Sequence, residues 1–157
     1  MTQYSSIFFY RAFGSPIDLG VHKNIYIDGS RQPKNMPENA HHSIDKWFFD
    51  KFGVKARSST IFVCKNQLGA NKYAQYSGNT VKRISFPLHA KYIYSLAVED
   101  LFHEIEELEV ELGAGYLDNI DSFMQDFSYI MTEDPSTIPE DWTGEIMVYC
   151  DTFIINS

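Results

Sequence analysis

The stretch that most constrains this chain lies near its end: Trp142-Thr143-Gly144-Glu145-Ile146-Met147-Val148-Tyr149-Cys150-Asp151-Thr152-Phe153-Ile154-Ile155. β-Branched and aromatic residues run through it and pause only at Asp151-Thr152. That pattern predicts a strand, a one- or two-residue corner and a last short strand, closing as a hairpin. One carboxylate, Glu145, stands at the mouth of the first strand. The glycine before it, Gly144, lets another backbone or a ligand come close.

At 157 residues the chain suits a single domain, 1–157, able to bury about two-thirds of its unfolded surface in one core. Ten Tyr and twelve Phe supply core material that a disordered chain lacks. No apolar run approaches the ~18–20 residues of a membrane span, and Met1-Thr2-Gln3-Tyr4-Ser5-Ser6 has no signal-peptide character. No membrane partner is expected. Cys64 and Cys150 both sit in apolar, strand-like runs, where buried free thiols of a cytoplasmic protein are expected rather than a disulfide.

Net charge is −8, but its distribution matters more. All thirteen Lys and Arg fall between Arg11 and Lys91 with five acids, a balance of +8. From Tyr92 to Ser157 there are sixteen acids and no Lys or Arg, a balance of −16. Such asymmetry bears on partners rather than fold. Nucleic acid could use only the basic N-terminal half, whereas the acidic half would attract a basic protein surface.

Along the chain, Ser6–Phe13 reads as a strand bounded by Gly14-Ser15-Pro16. Its terminal Arg11 is costly to bury without an anion, and either reaches solvent, pairs with an acid or meets a phosphate, which a planar guanidinium matches bidentately. A loop-rich segment follows, with a short strand expected over Lys23–Ile27, a turn at Asp28-Gly29-Ser30, and the basic, proline-punctuated run Arg31–Pro37. Ala40–Phe52 reads as a helix capped by Asn39 and stopped by Gly53. Its adjacent His41 and His42 point ~100° apart, so they form no i, i+4 metal pair.

Arg57-Ser58-Ser59-Thr60-Ile61-Phe62-Val63-Cys64 brings three hydroxyls into an apolar strand. Ser and Thr there either satisfy local backbone groups or face a ligand. Leu68–Tyr76 reads as a short helix carrying Tyr73 and Tyr76, which either pack half-buried or stack on an aromatic ligand. Thr80–Phe86 and Lys91–Tyr94 read as strands. Leu96–Leu112, with Ser95 as N-cap, has an apolar stripe of Leu101, Ile105, Leu108 and Leu112. Its other faces are dense in Glu, and acids near its end oppose the helix dipole. Gly113-Ala114-Gly115 leads to a second expected helix, Leu117–Met131. Segment 96–131 is thus expected to form an acidic helical hairpin. No phosphate loop, Gly-x-Gly-x-x-Gly, Cys-x-x-Cys or His-Glu-x-x-His occurs, and no metal site is expected.

Three motifs, Tyr10-Arg11, Arg57-Ser58-Ser59-Thr60 and Gly144-Glu145-Ile146-Met147-Val148, occur in an order that resembles the ADP-ribosyltransferases of the Arg–Ser–Glu type. The loop Arg31-Gln32-Pro33 is similar to one in phage and prophage members of that superfamily. The resemblance implies an α+β fold: a split, mostly antiparallel sheet of two packed halves with flanking helices. It implies NAD as substrate, with Arg11 on the pyrophosphate and Arg57, Ser58, Ser59 and Thr60 supporting the nicotinamide-ribose. Tyr73 or Tyr76 would stack on nicotinamide, and Glu145 would be the catalytic carboxylate, whose truncation to Ala would stop turnover without harming the fold. Thr143 stands where arginine-modifying members carry an acid or Gln. This leaves another acceptor on a protein or nucleic acid, simple NAD cleavage, or loss of activity. The implied setting is a phage or bacterial effector in the bacterial or phage-infected host cell. The alternative from another class is a non-enzymatic acidic protein whose helices dock a basic partner surface.

Overall fold

The computed structural model describes residues 2–33, 36–74 and 80–157. Two four-stranded antiparallel sheets and a set of helices make up an α+β fold. The first sheet runs β1 (Phe9–Phe13), β4 (Thr80–Ser85), β8 (Thr152–Ile155), β2 (Gly20–Lys23). The second runs β3 (Ile61–Val63), β7 (Ile146–Tyr149), β5 (Lys91–Tyr94), β6 (Ile130–Thr132).

Side chains of the second sheet alternate between two cores, as the two-residue period of a strand requires. Ile61, Val63, Tyr92, Tyr94, Ile146 and Val148 face the first sheet, where they meet Phe9, Ile84, Phe153 and Ile155. Ile93 and Met147 face the other way, into a core with Ile44 and Phe48 of α1 (Glu38–Phe52) and with Leu101 and Ile105 of α3 (Leu101–Leu112). The second sheet is therefore the middle of three layers. Its central strands are apolar on both faces for that reason.

The C-terminal strands form as the sequence indicates, but they do not close as a hairpin. β7 lies between β3 and β5, while β8 lies between β4 and β2 in the other sheet. The chain crosses from the middle of one sheet to the middle of the other at Cys150-Asp151, and buried Asn24 pins this corner. Its Nδ2 donates to Ser59 O at 3.0 Å and to Cys150 O at 2.9 Å, and its backbone N donates to Asp151 O at 2.8 Å. With those groups engaged and both edges of β7 occupied, the corner cannot fold back into a ladder.

Four other segments differ from the sequence expectation. The strand expected over Lys23–Ile27 ends at Lys23, because Asn24 turns the chain: its Oδ1 accepts from Tyr26 N. α1 starts at Glu38, after Pro37, so Asn39 lies within its first turn, while Gly53 does end it in the left-handed conformation (φ 75°). α3 starts five residues later than expected, with Asp100 as N-cap accepting from His103 N. Ser95 instead holds a turn, accepting from Ala97 N and donating to Phe127 O. The second expected helix, 117–131, is divided into a 3₁₀ segment (Gly113–Asn119), α4 (Ile120–Asp126) and β6, so Met131 pairs with Ile93 in a sheet. α4 packs on α1; the acidic two-helix hairpin is replaced by this irregular run. Glu106, Glu107, Glu109 and Glu111 of α3 are solvent-exposed. No helix among the described residues is long and apolar enough to cross a membrane.

Asn24→Ala would leave two buried carbonyls without a donor, at about 1–3 kcal/mol each. We expect a loss of roughly 2–4 kcal/mol in urea denaturation with the m-value unchanged; a loss below ~0.5 kcal/mol, the level of an ordinary surface substitution, would show that the corner holds without it.

Candidate functional site

The two sheets meet at one backbone bridge. Tyr10 and Cys64 exchange N–H···O bonds of 2.9 and 2.8 Å. An antiparallel ladder continuing from this pair would next bond Ala12 to Phe62. Instead the strands part, and the Arg11 side chain reaches across, Nη1 donating to Phe62 O at 2.7 Å. The guanidinium thus stands where backbone pairing stops, and the sheets open around it. A cleft of about 190 Å³ lies in this opening, lined by Tyr10, Arg11, Phe62, Cys64, Tyr73 and Glu145 among others.

Glu145 reaches the cleft through a tightly built neighbourhood. Its backbone N donates to Glu99 O at 2.8 Å, and Gly144 fits only because it has no Cβ. A Cβ there would lie 2.2 Å from the Trp142 indole and 2.9 Å from Glu99 Cα. The close approach expected at this glycine is therefore made by the chain's own indole and backbone. The carboxylate itself is buried. Its Oε1 accepts from Arg57 Nη1 at 2.8 Å and from Leu101 N at 3.1 Å. The second contact places the negative charge on the first turn of α3, where the helix dipole favours it. Oε2 takes no hydrogen bond among the described residues. Burial pushes the carboxyl above its ordinary value of 4.5, against the opposing pull of Arg57. Burial is the largest single influence on Arg57 and disfavours its charge, but Glu145, Tyr129 and Asp100 together hold that guanidinium above its usual range.

Tyr73 comes to the cleft on α2 (Gln67–Ala74). That helix sits close because Gly69 lies against Thr143 O and Cys64 Sγ, where a Cβ would be 2.7 and 3.2 Å from them. Lys72 donates to Thr143 Oγ1 at 3.2 Å, which in turn donates to Glu99 Oε1 at 3.0 Å. Burial raises the Tyr73 phenol, so it stays neutral. Burial also pushes the Cys64 thiol up to about 12, so it is no thiolate nucleophile at neutral pH. Tyr76 lies outside the described residues.

The hydroxyl stretch behaves otherwise. Ser59 Oγ donates to Lys55 O at 2.7 Å and Thr60 Oγ1 to Ala56 O at 2.5 Å. Both protons are thus committed to carbonyls four residues back, the local bonding these residues commonly adopt. Ser58 Oγ is buried without a partner and lines a separate cavity of about 300 Å³, with Gly29, Arg31, His41 and Lys55. The structure therefore brings Arg11, Tyr73 and Glu145 together, with Arg57 behind Glu145. It does not bring the Ser58, Ser59 or Thr60 side chains to that cleft.

A larger cavity of about 640 Å³ adjoins the cleft, sharing Arg11 and Phe62 and adding Tyr26, Arg31, His41 and Arg57. Arg31 lies 3.9 Å over the Tyr26 ring and 4.7 Å over Phe62, and Arg57 lies 4.6 Å over Phe62. Two guanidiniums thus share the Phe62 ring, while Arg11 lies over Phe13 and bonds the Phe62 carbonyl. Burial, then the proximity of Arg11, lowers Arg31 to about 10. Sequence reasoning marked the Arg31 loop but not this residue's place beside Arg11. Only its proline-bounded basic character hinted at a role. Comparison with protein-family models, curated proteins and solved structures finds no match for this chain.

The buried pair makes truncation at either end costly. Arg57→Ala is expected to cost about 3–5 kcal/mol, because it strands a buried carboxylate. The double change Arg57→Met/Glu145→Leu should cost much less than the two single changes added together. Chemical denaturation of the four proteins checks this; simple additivity would show that the two side chains do not depend on each other.

Proposed function

We propose that this protein is an ADP-ribosyltransferase-like enzyme that binds NAD in the split between its sheets, in the cytoplasm of a bacterial or phage-infected cell. One observation carries the reading: Arg11, Tyr73 and Glu145, from β1, α2 and the start of β7, line the same cleft. A guanidinium, an aromatic face and a carboxylate in one opening suit a bound dinucleotide. The guanidinium holds a phosphate, the ring packs on nicotinamide, and the carboxylate faces the ribose. As nicotinamide departs, positive charge grows on the ribose carbon. A carboxylate fixed beforehand in a site of low dielectric stabilises that charge without reorganising. Arg57 and Leu101 N both hold Oε1, which leaves Oε2 without a hydrogen bond among the described residues. The larger cavity falls in the ~300–1,000 Å³ range of small-molecule sites and offers room for the adenylate half. The acceptor is a protein or nucleic-acid group other than arginine, or water.

A second reading, a nucleotide-binding protein without turnover, is favoured by a specific contact. Arg57 already neutralises much of the Glu145 charge that catalysis would use.

Glu145→Gln tests the proposal better than Glu145→Ala, since the amide can still accept from Leu101 N and Arg57. We expect NAD to bind both proteins alike by calorimetry and nicotinamide release to fall by about 10²–10³. Equal release would remove Glu145 from the chemistry, and binding without release by the wild type would leave the second reading. For the active wild type, release should decline on the acid side as the carboxylate takes up its proton. Because the folded carboxyl sits above 4.5, that decline should come at higher pH than for an ordinary Glu, and it should be absent from the residual rate of Glu145→Gln.

A further inference from the structure

Of the three guanidiniums around Phe62, only Arg57 has its charge answered by a carboxylate. Arg11 and Arg31 have no Asp or Glu oxygen within 4.0 Å among the described residues. Two like charges partly withdrawn from water with no counter-ion are costly for a resting protein, and this one carries an excess of acids elsewhere. The cost falls away if an anion occupies the space between them.

Their anchoring fixes the geometry of that space. Arg11 Nη1 donates to Phe62 O, and Arg31 Nη2 donates to Thr60 O at 3.0 Å. Phe62 lies on β3, the edge strand of its sheet, and Thr60 in the bend just before it, so the two anchoring carbonyls are two residues apart in the chain. The reach of the chain keeps the two anchors within about 7 Å of each other. Both guanidiniums line the larger cavity. Tyr26 and Phe62 support the plane of Arg31 without offering it an acceptor in that plane. Arg31 Nε is shielded and has no partner. Each guanidinium has one Nη spent on the strand edge and further N–H groups unspent.

We propose that Arg11 and Arg31 form a two-pronged clamp for a diphosphate, so that the cavity selects nucleotides carrying two linked phosphates over monophosphates. The proposal rests on the same cleft as the functional reading and assigns Arg31, rather than the hydroxyl stretch, as the second polar support of the ligand. A planar fork pairs with two oxygens of one phosphate. Two forks anchored two residues apart suit two bridged phosphates, and a single phosphate fills only one of them well.

Calorimetric titration with ADP, AMP and adenosine tests this on the wild type, Arg31→Gln and Arg31→Lys, with circular dichroism to verify folding. The wild type should bind ADP at least ~10-fold more tightly than AMP, and adenosine most weakly. Arg31→Gln should weaken ADP by about 10–100-fold, the scale of lost charge-assisted hydrogen bonds, and should largely erase the preference over AMP. Arg31→Lys should restore part of it, since the charge returns without the fork. Equal ADP and AMP affinity in the wild type, no ADP binding, or an Arg31→Gln protein that binds ADP undiminished would each overturn the clamp. Nicotinamide release reports separately. An Arg31-dependent ADP preference without release keeps the clamp and sinks the transferase reading, whereas release with Arg31-independent ADP binding does the reverse.

Discussion

A guanidinium and a carboxylate buried against each other, Arg57 and Glu145, join parts of the chain that are far apart in sequence. Arg57 belongs to the turn leading into β3, Glu145 opens β7, and the same carboxylate oxygen receives the first N–H of α3. None of these groups would be tolerated singly in this interior. A lone buried ion costs several kcal/mol even after relaxation, and an unpaired helix N–H adds to that. Together they fix the middle sheet against the helical layer. The contact also holds the Glu145 carboxylate by one oxygen at the wall of the cleft.

The cleft arises because sheet pairing is interrupted. Among the described residues Tyr10 and Cys64 make a single bridge between the sheets, and the next backbone bond, to Phe62 O, is replaced by one from the Arg11 side chain. Arg11 therefore spends part of its hydrogen-bonding capacity on holding the opening apart and keeps the rest for what enters. Arg31 bonds a carbonyl two residues away, that of Thr60. Arg31 and Arg57 both lie against the Phe62 ring, and Arg11 bonds the carbonyl of the same residue.

Local pattern in the sequence translated well where neighbours along the chain decide the outcome. The continuous apolar run 146–149 is a doubly covered strand, Gly53 ends α1 in the left-handed conformation, and the 3.6-residue spacing of Leu101 and Ile105 buries one face of α3. It failed where distant groups compete. Ser95 looks like a helix cap, yet its hydroxyl is taken by Phe127 O, and the helix waits for Asp100. The apolar spacing of 117–131 suits a helix, but Ile130 to Thr132 can complete the edge of a sheet beside β5, and that pairing prevails. For the site, Glu145 and Arg11 were visible as charges at the ends of apolar strands. The Ser-Thr stretch was visible too, but its hydroxyls are directed to carbonyls four residues back, a choice fixed by the turn geometry of 55–60.

The sequence by itself determined most of the strands, the helix ended by Gly53, and the two charged residues that break apolar runs, because those depend on periodicity and on the cost of burying charge. Tertiary structure alone decided that β7 and β8 part into different sheets, that Arg57 rather than solvent meets Glu145, and that Arg31 comes beside Arg11. Each is a contact between residues dozens of positions apart. Such contacts are chosen by which distant carbonyl, ring or counter-charge is free to satisfy a buried group, and no local pattern encodes that.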